Sequence, residues 1–118
     1  MAEAKTYRNF INGEWVASAS GQVFENRNPA DHSEIIGFFQ DSTPEDVDQA
    51  VSAAREAYRR WRLTPAPRRA EYVNKVGEIL IRRDEENARE ATRELGKILR
   101  DARADVQAQH RTELGLVE

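Results

Sequence analysis

Glu94–Leu99 reads "ELGKIL", and three readings of it are open. Gly96-Lys97 beside an acid belongs to a phosphate cradle between a strand and a helix, to an active site, or to a joint between two helices. A phosphate loop needs more glycines and a preceding strand. Upstream, Ala88, Ala91 and Leu95 recur at helical spacing instead. Glycine at the end of such a run takes the left-handed conformation that satisfies the last carbonyls. Gly96 is therefore read as a helix C-cap and Lys97 as a solvated charge beside it.

The neighbouring segments extend this reading. Before the joint, "RRDEE" marks a break with Asp84 as the expected cap, preceded by a helix that buries Val73, Val76, Ile79 and Leu80. Pro65 and Pro67 open that helix and close an earlier one. The earlier helix starts at "TPED", where Thr43 offers a capping hydroxyl, Pro44 fits the first helical position and Glu45 and Asp46 favour the positive end of the dipole. Its apolar face runs through Val47, Ala50, Val51, Ala54, Ala57, Tyr58 and Trp61. After the joint a fourth helix is expected from Lys97 or Ile98, fading after Val106.

The first 40 residues read as strands. Asn12-Gly13 lies between Phe10-Ile11 and Trp15-Val16, a hairpin signal because both turn positions need positive φ. "VFENRN" begins another strand, which Asn28-Pro29 should stop. "DHSE", Asp31–Glu34, is read as a turn into a third strand, Ile35–Gln40. The fold class is α+β: an N-terminal β-hairpin and a third short strand, followed by three to four α-helices. Phe10, Trp15, Phe24, Phe38 and Phe39 are read as core.

Totals narrow the function classes. The chain has 118 residues, a formal net charge of −3 and no cysteine. An acidic balance with arginines interleaved among acids gives no case for nucleic acid or an anionic membrane. No apolar run spans a bilayer, and "MAEAKTYRN" is not a signal peptide, so the expected location is cytoplasmic. Disulfides, thiolate metal sites and a cysteine nucleophile are excluded within these residues. His32 and His110 are far apart without helix-spaced partners, Ser18, Ser20 and Ser33 have no base in a recognisable motif, and no glycine-rich nucleotide fingerprint is present.

Five pieces in order carry a resemblance: "FINGEW", "NPAD", "TPEDVDQAVSAAREAYRRWR", "PAPRRAEYVNKVGEILIRR" and "ATRELGK". Over Tyr7 to Gln107 the chain resembles the opening segment of the NAD(P)-dependent aldehyde dehydrogenase superfamily. The resemblance implies a cytoplasmic, oligomeric oxidoreductase whose parent oxidises aldehydes to carboxylic acids with NAD or NADP on a Rossmann-like domain. It places residues 1–107 as the N-terminal part of that cofactor domain and 108–118 as a divergent tail.

The family's catalytic cysteine, general-base glutamate and cofactor loop have no counterpart here, so a truncated fragment without catalysis or cofactor binding of its own is expected. The resemblance also carries a monovalent-cation site onto the carbonyls of Asn26 and Arg27 and the carboxylate of Glu94. The expected partner is a second copy or the remainder of an aldehyde dehydrogenase. The alternative is a stand-alone, self-associating or partner-binding module.

Overall fold

The structure, a computed structural model, describes residues 4–113, and the side chains of residues 4–109. Four strands are followed by four helices: β1 (Asn9–Ile11), β2 (Glu14–Val16), β3 (Val23–Asn28), β4 (Asp31–Gln40), α1 (Pro44–Trp61), α2 (Ala66–Arg82), α3 (Asp84–Leu95) and α4 (Leu99–Glu113). The chain divides into two compact units. Of the described residues, 4–27 and 33–63 form the first; 28–32 and 64–113 form the second.

In the first unit β1 and β2 pair antiparallel, with Phe10 opposite Trp15 and their ring centroids 4.8 Å apart. Asn12 and Gly13 sit at φ 52° and 83°, the turn conformation expected of this dipeptide. β3 and β4 pair in a second two-stranded sheet. A segment before β1 adds to β4 in parallel: Tyr7 N donates to Phe38 O at 2.8 Å, and Phe38 N donates to Lys5 O at 3.0 Å. The Tyr7 ring stacks on Phe39 at 4.9 Å. Buried Gln40 ties this segment to the loop after β2, accepting from Ser18 N at 2.9 Å and donating to Tyr7 O at 2.8 Å.

Asp31–Glu34 is strand, not the expected turn, so His32 lies on β4. Reversal takes only two residues, Pro29 and Ala30, because the Asn28 side chain accepts the Ala30 amide at 2.9 Å and mimics a backbone turn.

Thr43 caps α1 through a reciprocal box with Asp46, as the "TPED" signature implies. Its apolar residues are not a buried face, however. Val47, Val51, Tyr58 and Trp61 are exposed, and so are Phe10, Trp15 and Phe24, which were expected in the core. The described core of this unit is small, around buried Ile36 and Gly37 with Phe38 and Phe39 half-buried. Periodicity identifies an apolar stripe, and covering it needs an element that this unit does not supply.

In the second unit α3 and α4 pack on each other through fully buried Ala88 and Ala102, with Val106, Ala91 and Leu99 around them. Small side chains let the two helices approach closely. Arg83 alone separates α2 from α3, so Asp84 is the first helical residue rather than the cap. Val73 and Val76 of α2 are exposed, against expectation, while Ile79 and Leu80 are half-buried. α3 ends at Gly96, whose φ of 66° and bond from its N–H to Thr92 O confirm the left-handed cap. α4 continues to Glu113 instead of fading after Val106. Beyond Val106 it continues through good helix formers such as Ala108 and Gln109. The last five residues of the sequence lie outside the described residues.

Candidate functional site

Asn26 and Arg27 lie on β3 in the first unit, with the Arg27 guanidinium ion-paired to Glu25. Glu94 is exposed in the last turn of α3 in the second unit. His32 is exposed on β4, and the side chain of His110 lies outside the described residues. Among the described residues no three His, Cys, Asp or Glu side chains cluster closely enough to hold a metal ion.

One highly connected polar group in the first unit is Asp46, only 6% exposed. Its carboxylate accepts from Ser18 Oγ at 2.6 Å, from Ala19 N at 3.0 Å and from Thr43 N at 2.8 Å. These donors hold it ionised: the Ser18 hydroxyl foremost, then the Thr43 and Ala19 amides, lower its pKa from 3.8 to about 2. A serine beside a carboxylate suggests an activated nucleophile. The electrostatics argue otherwise, because a carboxylate held this acidic is a weak proton acceptor. Ser18 is also buried, and its hydroxyl lies 3.0 Å from both Asp41 O and Ser20 Oγ. The cluster is a clasp that fixes the 18–20 loop to the start of α1. From sequence, Asp46 was legible as an acid in the first turn of α1 but not as buried, because Ser18 lies 28 residues away.

The second unit has a comparable joint at "ELGKIL". A Cβ on Gly96 would sit 3.0 Å from Pro29 Cγ and 3.2 Å from Ala30 N, so the helix joint closes tightly on the tip of the β3–β4 turn. Lys97 is not a solvated charge: it is half-buried and ion-paired with Asp105 on α4. Arg103 of α4 grips Glu85 of α3 through two bonds of 2.8 Å, which lowers the pKa of Glu85 and raises that of Arg103. The cations of Lys97 and Arg103 are thus both paired with carboxylates, Asp105 and Glu85.

Beside α1 the surface open to other molecules is mostly apolar. Two open clefts of about 230 and 270 Å³ run along α1, sharing Phe10, Ile11 and Ala50. No helix among the described residues is long and apolar enough to cross a membrane.

The family model described as "Aldehyde dehydrogenase family" matches residues 15–113. Alpha-ketoglutaric semialdehyde dehydrogenase of Bacillus subtilis is 48% identical over 105 residues, which cover 89% of this chain and 22% of that protein. Malonate-semialdehyde dehydrogenase 2 of Geobacillus thermodenitrificans is 45% identical over 107 residues, 91% of this chain and 22% of the relative. Among solved structures, betaine aldehyde dehydrogenase from Staphylococcus aureus in complex with NAD+ superposes with a TM-score of 0.86 at 31% identity, covering 92% of this chain and 22% of that one. HpcC from Thermus thermophilus gives a TM-score of 0.87 at 32% identity, over 92% and 21%. The chain thus spans about a fifth of the length of the proteins it matches.

Proposed function

The chain belongs to the aldehyde dehydrogenase family, and we propose that it serves as the leading portion of an enzyme that oxidises an aldehyde to a carboxylic acid with NAD or NADP. The observation that carries this reading is a match over about nine-tenths of the chain in both sequence and fold to enzymes of that activity. The chain is an N-terminal fragment of such an enzyme, about 22% of its relatives' length.

On this reading the fragment supports chemistry performed elsewhere. It has no cysteine to attack an aldehyde. Among the described residues no strand leads through a glycine-rich turn into a helix, the arrangement that cradles a dinucleotide pyrophosphate. We assign it no cofactor contact and no catalytic step. Its contribution is scaffolding: a hairpin, a clasped helix start and a tightly closed helix joint, with apolar surface for the rest of the enzyme to cover.

A chimera tests this reading. Residues 7–107 replace the matching segment of the B. subtilis relative, and NADH formation is followed with alpha-ketoglutaric semialdehyde. A soluble chimera with activity within tenfold of the parent is expected. An inactive or insoluble chimera beside an active parent overturns the reading. The 118-residue chain alone is expected to form no NADH above a blank, and turnover there overturns its supporting role.

A further inference from the structure

Of the six asparagines in the chain, Asn12 alone is followed by glycine. The others precede Phe10, Arg27, Pro29, Lys75 and Ala88. The difference is chemical. A backbone nitrogen can attack the side-chain carbonyl of the asparagine before it, and a Cβ on the attacking residue obstructs the approach. Proline has no N–H to lose. At Gly13 the path is open: nothing lies within 4 Å of where a Cβ would stand, and both turn residues are exposed.

The fold decides how often the attack is possible. Asn12 and Gly13 sit at φ 52° and 83°, in a two-residue turn whose peptide is held by the strands on either side. Ring closure needs that peptide to rotate until Gly13 N faces Asn12 Cγ, so the turn must open first. The turn is weakly held. β1 and β2 form a sheet of their own with three pairs, Asn9 with Val16, Phe10 with Trp15 and Ile11 with Glu14. A two-stranded ribbon this short is marginally stable in water, and local opening of such a segment costs far less than global unfolding. The 2.9 Å bond from Asn9 to Ser42 anchors the base of the ribbon, away from its tip.

We propose that Asn12 is a modification site, deamidating spontaneously at a rate gated by opening of the hairpin. Gly13 N bonds to Asn12 Cγ, and the side-chain nitrogen leaves as ammonia with the proton from Gly13. A five-membered succinimide remains, which water opens. Breaking the bond from Cγ to nitrogen gives aspartate. Breaking the bond from the backbone carbonyl carbon gives isoaspartate, whose main chain runs through Cβ and Cγ. Overall an amide and water become a carboxylic acid and ammonia, with no oxidant or reductant. Either product makes the formal net charge of −3 one unit more negative. Their structural consequences differ. Aspartate suits the same turn. Isoaspartate puts an extra carbon into a two-residue connection, so the pairs Ile11 with Glu14 and Phe10 with Trp15 lose their register. The site rests on the hairpin alone and does not depend on the dehydrogenase reading, so the chimera above and the experiment below fail independently.

The test is incubation of the purified 118-residue chain at pH 8 and 37 °C, with tryptic peptides followed by mass spectrometry over two weeks. Cleavage after Arg8 and Arg27 leaves Asn9, Asn12 and Asn26 in one peptide, which supplies its own controls. Asn12 should convert at least tenfold faster than Asn9, Asn26 and exposed Asn74, giving both aspartate and isoaspartate. Trp15→Ala removes the ring pair from the ribbon and should speed Asn12 at least threefold while leaving Asn74 slow. Gly13→Ala should slow Asn12 at least fivefold even though it weakens the turn. In the separated products, the indole resonance of Trp15 should hold its position in the aspartate form and move in the isoaspartate form. Conversion of Asn12 no faster than Asn74 overturns the proposal. So does aspartate as the sole product, which would mean direct hydrolysis without the ring. A rate unchanged by Trp15→Ala overturns the gating, and an unmoved Trp15 resonance in the isoaspartate form overturns the loss of register.

Discussion

Ser18 Oγ donates a 2.6 Å hydrogen bond to Asp46 Oδ2, joining the loop after β2 to the first turn of α1 across 28 residues. The bond accounts for the largest part of the lowering of the Asp46 pKa from 3.8 to about 2. A carboxyl more acidic in the folded than in the unfolded chain stabilises the fold above the unfolded value, and the stabilisation is lost as pH falls through the folded one. The clasp should therefore hold fully above about pH 4 and weaken toward pH 2. Thermal melts of Asp46→Asn should lack this contribution, with a melting temperature several degrees lower at pH 7 and a shallower fall between pH 4 and 2. Ser18→Ala should move the Asp46 titration, read by carbon NMR, back toward 3.8. An unmoved titration would show that the amides alone set it.

Gly96 and Gly13 share positive φ but not surroundings. At Gly13 nothing lies within 4 Å of an added Cβ, whereas at Gly96 the side chain meets Pro29 and the Ala30 amide. Gly13→Ala should cost about 1–2 kcal/mol from conformation alone. Gly96→Ala should cost more, about 2–4 kcal/mol, because the turn Asn28–His32 must also shift. Urea denaturation of both variants checks the difference, and equal losses would mean that the close approach to Pro29 carries no energy.

The contrast between these two glycines also shows what was legible beforehand. Asn12-Gly13 and Gly96 were readable because positive φ is a local demand with a local answer. Thr43-Pro44 marked the start of α1 for the same reason. The turn after Asn28 was misplaced because its side chain does the reversing, which frees Asp31–Glu34 to pair. Burial was the larger miss. The stripe of Val47, Val51 and Tyr58 gives the helix period, and no period says whether a partner element exists. The clasp at Asp46 and the pairing of Lys97 with Asp105 depend on residues that only the fold brings near.

In the second unit apolar packing should outweigh charge. Glu85 bonds Arg103 twice and Arg89 once, all exposed on the surface of α3 and α4. Glu85→Gln should lower the melting temperature by a degree or two, and less at 1 M salt, because exposed pairs are screened. Ala102→Leu should be far more harmful. Ala102 is fully buried opposite Ala88, and three added carbons must push the helices apart at about 1–3 kcal/mol or more. A calorimetric loss for Glu85→Gln equal to that for Ala102→Leu would reverse this ranking.

Gly37 makes the sharpest steric demand. A Cβ there would lie 2.6 Å from Tyr7 Cε2 and 2.9 Å from Lys5 O. The second of these is the carbonyl that accepts from Phe38 N, so the segment carrying Lys5 and Tyr7 can lie beside β4 only because residue 37 has no side chain. Gly37→Ala should therefore release that segment rather than unfold the whole unit. Amide exchange at Tyr7 and Phe38 should accelerate at least tenfold while α3 and α4 stay protected. Tyr7 should also lose its stacking on Phe39, visible as a changed near-ultraviolet dichroism signal. Unchanged exchange at Tyr7 would mean that the strand accommodates the methyl group by sliding, and that Gly37 is not what admits it.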